Sequence, residues 1–253
     1  MCGKANKNKE VTVRGNYEII GYPKKTNKMK KIITTIILII SVFSVFSQNN
    51  RFETDDFIYW QPNTTLDFDD FTGEQNERGL ELCKKYNLKF ATNIQIHAIL
   101  DVPKKKRYLR TMKEKMYICP VFCKNCSFYI EADTLELLQT QLLFDIAEYN
   151  TRLARIQMAE LEKKSTTNLF VAALFPSIIN KMYENMHEMF GSYINEVMIN
   201  KKEGAYEEWK MLLEEGLKDT EEFATSEEEC QRFINDEPFS TKYKTTYSVY
   251  GQN

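Results

Sequence analysis

The chain has 253 residues, with 34 Lys and Arg against 36 Asp and Glu, and 43% of its residues are hydrophobic. It has no strongly basic balance, which argues against nucleic acid as a partner, because phosphate contacts need a concentrated positive patch. Its nine glycines form no Gly-rich phosphate loop, and neither a G-x-S-x-G turn nor a paired basic–aromatic array is present.

Residues 1–28 are polar and lysine-rich, and contain Gly15, Gly21 and Pro23. They read as a non-native upstream extension, with translation starting at Met29. Lys30 and Lys31 then form a short basic head. Ile32 to Phe46 is an uncharged apolar run of 15 residues, and Val45 and Ser47 place small side chains at −3 and −1 of a cut before Gln48. This three-part pattern over 29–47 is that of an export signal. The run is shorter than the ~20 residues that a bilayer-crossing helix needs. Membrane contact is therefore expected only through this segment if it stays uncleaved. Periplasm or exterior is the expected location. Residues 1–47 carry nine basic and two acidic groups, so the remaining 206 residues have a net charge of −9. They divide into one domain over 48–223 and a polar tail over 224–253.

The first half reads as β. Phe57 to Trp60 is a short strand and Leu66 to Gly73 a turn-rich segment. Leu88 to Val102 alternates with period two through Ile94, Ile96, Ala98 and Leu100, which puts His97 on the less buried side. Lys104 to Arg107 reads as a solvated turn. Lys115 to Phe122 and Ser127 to Ile130 are further strands around the turn Cys123-Lys-Asn-Cys126. The second half reads as helical. Asp133-Thr-Leu-Glu136 is a capping-box-like start. Leu135, Leu138, Leu142, Ile146, Tyr149, Leu153 and Ile156 then mark an amphipathic stripe to about Lys164. Leu169 to Phe175 is an apolar link stopped by Pro176. One helix is expected from Ser177 through Tyr193 and another over Glu203–Phe223. The fold class is α+β, an antiparallel sheet from the N-terminal half packed on a long helix and further C-terminal helices.

Five cysteines follow the signal segment, among them Cys119, Cys123 and Cys126 at close spacing. C-x-x-C metal knuckles come in pairs, and the second pair is missing. In an exported chain a disulfide among these three is the better expectation.

Three stretches resemble the bacterial domain-of-unknown-function family 922, described as predicted secreted zinc-dependent proteases. Trp60, Leu66, Asp70, Phe71 and Gly73 are similar to its opening W-x(n)-L-x-x-x-D-F-x-G. Leu137 to Glu148 (LLQTQLLFDIAE) is similar to L-x-H-E-Q-x-H-F-D-I-A-E. Tyr193 to Trp209 is similar to a stretch that opens Y-D-x-E-T-x-H and closes on Trp. The resemblance implies a zincin-like arrangement and covers about 55–215. H-E-x-x-H holds zinc because residues i and i+4 share a helical face, while the Glu takes a proton from metal-bound water. Here those positions are Gln139, Thr140 and Leu143, and the third family His falls on Ile199. An amide, a hydroxyl and two alkyl groups supply neither ligands nor base. The resemblance therefore implies a degenerate metallopeptidase with no catalytic residues, no metal ligands and no cofactor. Asp145 and Glu148 are retained, and Glu148 can pair with Arg152 at i, i+4. The expected function is a non-catalytic binding or structural envelope protein with a protein or envelope partner. Two alternatives stand beside it. One is a hydrolase of altered chemistry in the same cleft, using Asp145, Glu148 and Thr140. The other is a disulfide or metal protein built on Cys119, Cys123 and Cys126.

Overall fold

A computed structural model describes residues 51–108, 111–164 and 170–250; the extension 1–28 and the signal segment 29–47 lie outside them. Four antiparallel strands form the main sheet in the order β1 (Phe57–Tyr59), β4 (Lys115–Cys123), β3 (Ile94–Pro103) and β6 (Tyr243–Tyr250). Two short strands, β2 (Phe90–Ala91) and β5 (Phe128–Tyr129), pair separately. The α+β class and the antiparallel sheet are as the alternation predicts. The expected single strand from Leu88 to Val102 is divided between the two sheets. The division has a local cause: the Glu136 carboxylate accepts the backbone N–H groups of Lys89 (2.7 Å) and Phe90 (3.0 Å) and draws β2 over the start of the long helix.

Helix α1 (Glu77–Tyr86) has no counterpart in the periodicity reading. Its amphipathic face is narrow, and within the helix only Cys83 is buried. Its ends are nevertheless written in sequence. The Asn76 side chain caps the start by accepting from Gly79 N–H, and Asn87 closes it in the left-handed conformation at φ 53°. Gly79 is required by packing, because a Cβ there would lie 2.7 Å from the Phe128 ring.

Helix α2 (Thr134–Lys164) is the axis of the domain. Asp133 caps it, accepting from the N–H groups of Leu135 and Glu136. Glu136 does not complete a capping box, since its carboxylate serves β2 instead. The expected apolar stripe is only half right. Leu135, Leu138 and Leu153 are exposed, whereas Thr140, Glu148, Asn150, Thr151 and Arg152 are buried. The centre of α2 is enclosed by the sheet and by the helices that follow it in the chain, so burial is not confined to one stripe.

Helix α3 (Phe170–Tyr193) carries Pro176 inside it, so the expected break there does not occur. Proline removes one i→i−4 hydrogen bond. Phe175, Ile178 and Ile179 are all buried in the core with Ile96, Leu100 and Ile118, and that packing compensates. A single turn of π-helix, Ile194–Ile199, follows and leads into α4 (Ala205–Asp219).

The polar segment after Ala224 belongs to the same fold. Ser226 and Glu229 form a capping box for α5 (Glu227–Asn235), and β6 then adds to the free edge of β3. Helix α5 covers the sheet face opposite α2 and α3. Cys230 and Phe233 pack there on Tyr59, Ile99, Tyr117, Cys119 and Val121. This overturns the expectation for His97, which is 1% exposed. Its ring sits 4.7 Å from Phe57, 5.9 Å from Tyr59 and 5.8 Å from Phe233. Burial lowers its pKa to about 4. His187 is exposed, and its Nδ1 lies 2.7 Å from Tyr183 O. Among the described residues, no helix is long and apolar enough to cross a membrane.

Candidate functional site

The three stretches that carry the resemblance meet on α2. From the first, Trp60 Nε1 donates to Asp145 Oδ1 at 2.9 Å and Leu66 N donates to Gln141 Oε1 at 2.9 Å. Asp70 accepts from Arg51 and from Asp67 N, and Phe71 stands edge-on to Phe90 and Phe122. Gly73 lies so close to the Cys123–Cys126 turn that a Cβ would fall 2.7 Å from Ser127 O. From the third stretch, Tyr193 OH donates to Gln139 O at 2.9 Å, and the Tyr193 ring meets Trp209 edge-on at 5.6 Å. Trp209 Nε1 donates to Glu196 on the π-turn. Trp60, Tyr193 and Trp209 thus clamp the helix that carries positions 139–148.

Those positions face different surroundings. Leu143 and Ile199 line one cleft of about 530 Å³, together with residues of α1, β2 and β5. Its walls are mostly apolar, among them Leu82, Leu88, Phe90, Phe128 and Met198, with Arg78, Asn93 and Asn195 as polar points. Gln139 lines an adjoining cleft of about 350 Å³, and Met198 is shared between the two. The chain therefore brings Leu143 and Ile199 together across 56 positions of sequence and sets Gln139 beside them. Thr140 lines neither cleft. It is fully buried, and its Oγ1 finds no hydrogen-bond partner among the described residues. A buried hydroxyl left unpaired costs about 1–3 kcal/mol. Thr140→Val, which keeps the shape, is therefore expected to raise unfolding stability by about 1 kcal/mol in urea denaturation. A loss of similar size would mean that the hydroxyl is satisfied after all.

Asp145 and Glu148 part company. Asp145 borders a separate pocket of about 210 Å³ with Tyr206 and Leu213. Burial pushes its carboxyl up to about 6, against the hydrogen bonds from Trp60 and Gln141. Glu148 is sealed at 0% exposure. It accepts from Arg152 Nε at 2.8 Å, Thr225 N at 2.9 Å and Thr225 Oγ1 at 2.6 Å. Burial raises its pKa as well, opposed by Arg155, Thr225 and Arg152. Arg155 completes the cluster by donating to the carbonyls of Ile118 and Phe223 and to Glu229. A general acid and base sharing one substrate must reach one open site, and this pair does not. Thr140 also stands apart from that pocket. The three residues offered for an altered hydrolase are thus not brought together.

The cysteines also divide. Cys123 and Cys126 are joined in a disulfide with Cα atoms 5.3 Å apart. Cys119 lies in the same strand but takes no part in it, and its Sγ instead sits 3.8 Å from Cys230 Sγ. The three do not converge as metal ligands. Among the described residues no group of three or more His, Cys, Asp or Glu side chains is placed to hold a metal ion. The sequence pattern does not announce the apolar cleft. Its inner wall is α1, and without that helix nothing in the pattern encloses a cavity beside Leu143. No family model, no curated protein and no solved structure matches the chain.

Proposed function

We propose that the chain is an exported, non-catalytic binding protein on a zincin-like frame, in which the place of the lost zinc has become an apolar cleft. The observation that supports this most directly is the shared position of Leu143 and Ile199. Two positions that resemble metal ligands line one cavity of ligand size, and both are alkyl. Pockets of this volume with a few polar points suit an apolar group held by its shape and oriented by one or two hydrogen bonds. Arg78, Asn93 and Asn195 supply those points. The occupant is an apolar group of a protein or envelope partner. No metal, cofactor or catalytic residue takes part. Cys83 also borders the cleft, and burial pushes its thiol up, which keeps it protonated and weakly reactive.

Gly191 supplies the test. It lies on α3, lines the cleft, and a Cβ there would meet nothing within 4 Å. Gly191→Phe can fill the cavity without disturbing the helix. Anilinonaphthalene sulfonate is the probe. The purified chain is expected to bind one equivalent with enhanced fluorescence, and Gly191→Phe to weaken that binding at least tenfold, about 1.4 kcal/mol. The same preparations are expected to contain no stoichiometric zinc. Unchanged probe binding in the filled variant, or zinc accompanied by peptide cleavage, would overturn the proposal.

A further inference from the structure

Cys119 and Cys230 are both completely buried, and their sulfurs are 3.8 Å apart although 111 residues separate them in sequence. Cys119 is on β4, in register with His97 of β3. Cys230 is on α5, one residue past the Glu229 that closes the helix's capping box. The surroundings are tightly packed. Gln61 Nε2 donates to Cys230 Sγ at 3.2 Å, and Val121, Tyr59 and Phe233 close the site. Two sulfurs on facing elements of a close-packed core are already at contact distance. Bond formation requires them to approach from 3.8 Å to about 2.05 Å.

We propose that Cys119 and Cys230 form a second disulfide, which staples the C-terminal segment to the outer face of the sheet. The oxidant is a small-molecule or protein disulfide of the compartment that receives the chain. Each of the two thiols loses its proton and together they lose two electrons. The S–S bond of the oxidant breaks as the new one forms, and the oxidant leaves as two thiols. The step belongs to folding and not to the finished fold. Once buried, Cys119 is held in its protonated form by desolvation and by the nearby Cys230, Glu229 and Glu148, so thiolate attack is suppressed. The same burial then protects the bond from reduction. The staple has a clear structural task. Helix α5 is nine residues long and on its own too short to persist. The segment holding it also carries β6, which covers the edge of β3. A link closing a loop of this length removes much of the freedom of the unfolded chain.

The proposal rests on export for its oxidising compartment, so the experiment supplies the redox conditions itself. The purified chain is reduced in denaturant and refolded in a mixture of reduced and oxidised glutathione. Remaining thiols are alkylated, and the cross-linked peptides are mapped without reduction. Two links are expected, Cys123–Cys126 and Cys119–Cys230, with Cys83 recovered as the alkylated thiol. A Cys119→Ala/Cys230→Ala double variant is expected to melt about 10 °C below the oxidised chain. Recovery of both Cys119 and Cys230 as alkylated thiols from the folded product, or their pairing with Cys83, would overturn the proposal. Binding of the cleft probe, measured on the same samples, keeps the two proposals separate, because the staple lies on the opposite face of the sheet from α2.

Discussion

Glu148→Ala is expected to lower the free energy of unfolding by about 3–5 kcal/mol, the range for removing one partner of a buried ion pair. The carboxylate is fully enclosed and accepts three hydrogen bonds, from Arg152 Nε and from the backbone and hydroxyl of Thr225. Arg155 stands 4.0 Å away. Removing Glu148 takes the ion-pair partner from the buried Arg152, while Arg155 keeps only Glu229, and it strips Thr225 of both its acceptors. The loss should reach beyond α2, because Arg155 also holds the carbonyls of Ile118 on β4 and Phe223 before α5. Urea unfolding followed by far-UV circular dichroism is the measurement, read as a fall in midpoint without a change of slope. Glu184→Ala is the control. Its pair with Lys181 is solvent-exposed and should be worth under about 1 kcal/mol. A loss at Glu148 no larger than the control would show that this cluster does not join the long helix to the C-terminal segment.

That cluster also marks where the sequence was legible and where it was not. Period-two alternation locates β3, and the spacing of Glu148 and Arg152 points to their ion pair. What alternation cannot report is whether the second face of a sheet is covered. Alternation alone puts His97 on the exposed side, because nothing local announces that α5, more than 120 positions later, lies over it. The same reason hid the role of the segment after Ala224. Its aromatics have no period because they serve two different elements, Phe233 on a helix and Tyr243 and Tyr247 on an edge strand. Pro176 misled in the other direction. A local rule ended a helix that long-range packing of Phe175, Ile178 and Ile179 carries through.

The site divides along the same line. Trp60, Tyr193 and Trp209 carry the resemblance, and each has a structural task that only contact reveals: clamping α2 from two sides, Trp60 through its hydrogen bond to Asp145. Gln139, Leu143 and Ile199 are marked in the sequence only by position within motifs. The fold gives Leu143 and Ile199 a common wall and Gln139 the next cleft. The cleft itself depends on α1, which is short, polar on average and buries only Cys83, so no apolar run announces it. A cap at Asn76 and an αL residue at Asn87 were the readable signs of it.

The chain carrying Gln139→His, Leu143→His and Ile199→His together is expected to bind one zinc ion. Residues 139 and 143 are one turn apart on α2, which is the spacing that lets two imidazoles share a tetrahedral ion. Ile199 closes the π-turn that lies against that part of the helix, and Met198 beside it borders both clefts. Without metal the variant should be less stable than the parent, because Leu143 is 5% exposed and an imidazole there exchanges apolar packing for a polar ring. Zinc at a hundredfold excess over its dissociation constant returns about 2.7 kcal/mol. Thermal melting with zinc and with chelator should therefore separate by several degrees in the triple variant. Each single variant should show no such separation, since a single imidazole does not make a site. Peptide cleavage is not expected even in the zinc-loaded variant. By the resemblance Thr140 would stand at the position of the base; it is sealed from the cleft, and a hydroxyl cannot take the proton from metal-bound water near neutral pH. A folded triple variant whose melting ignores zinc would remove the reading of a lost metal site, and with it the resemblance on which that reading rests.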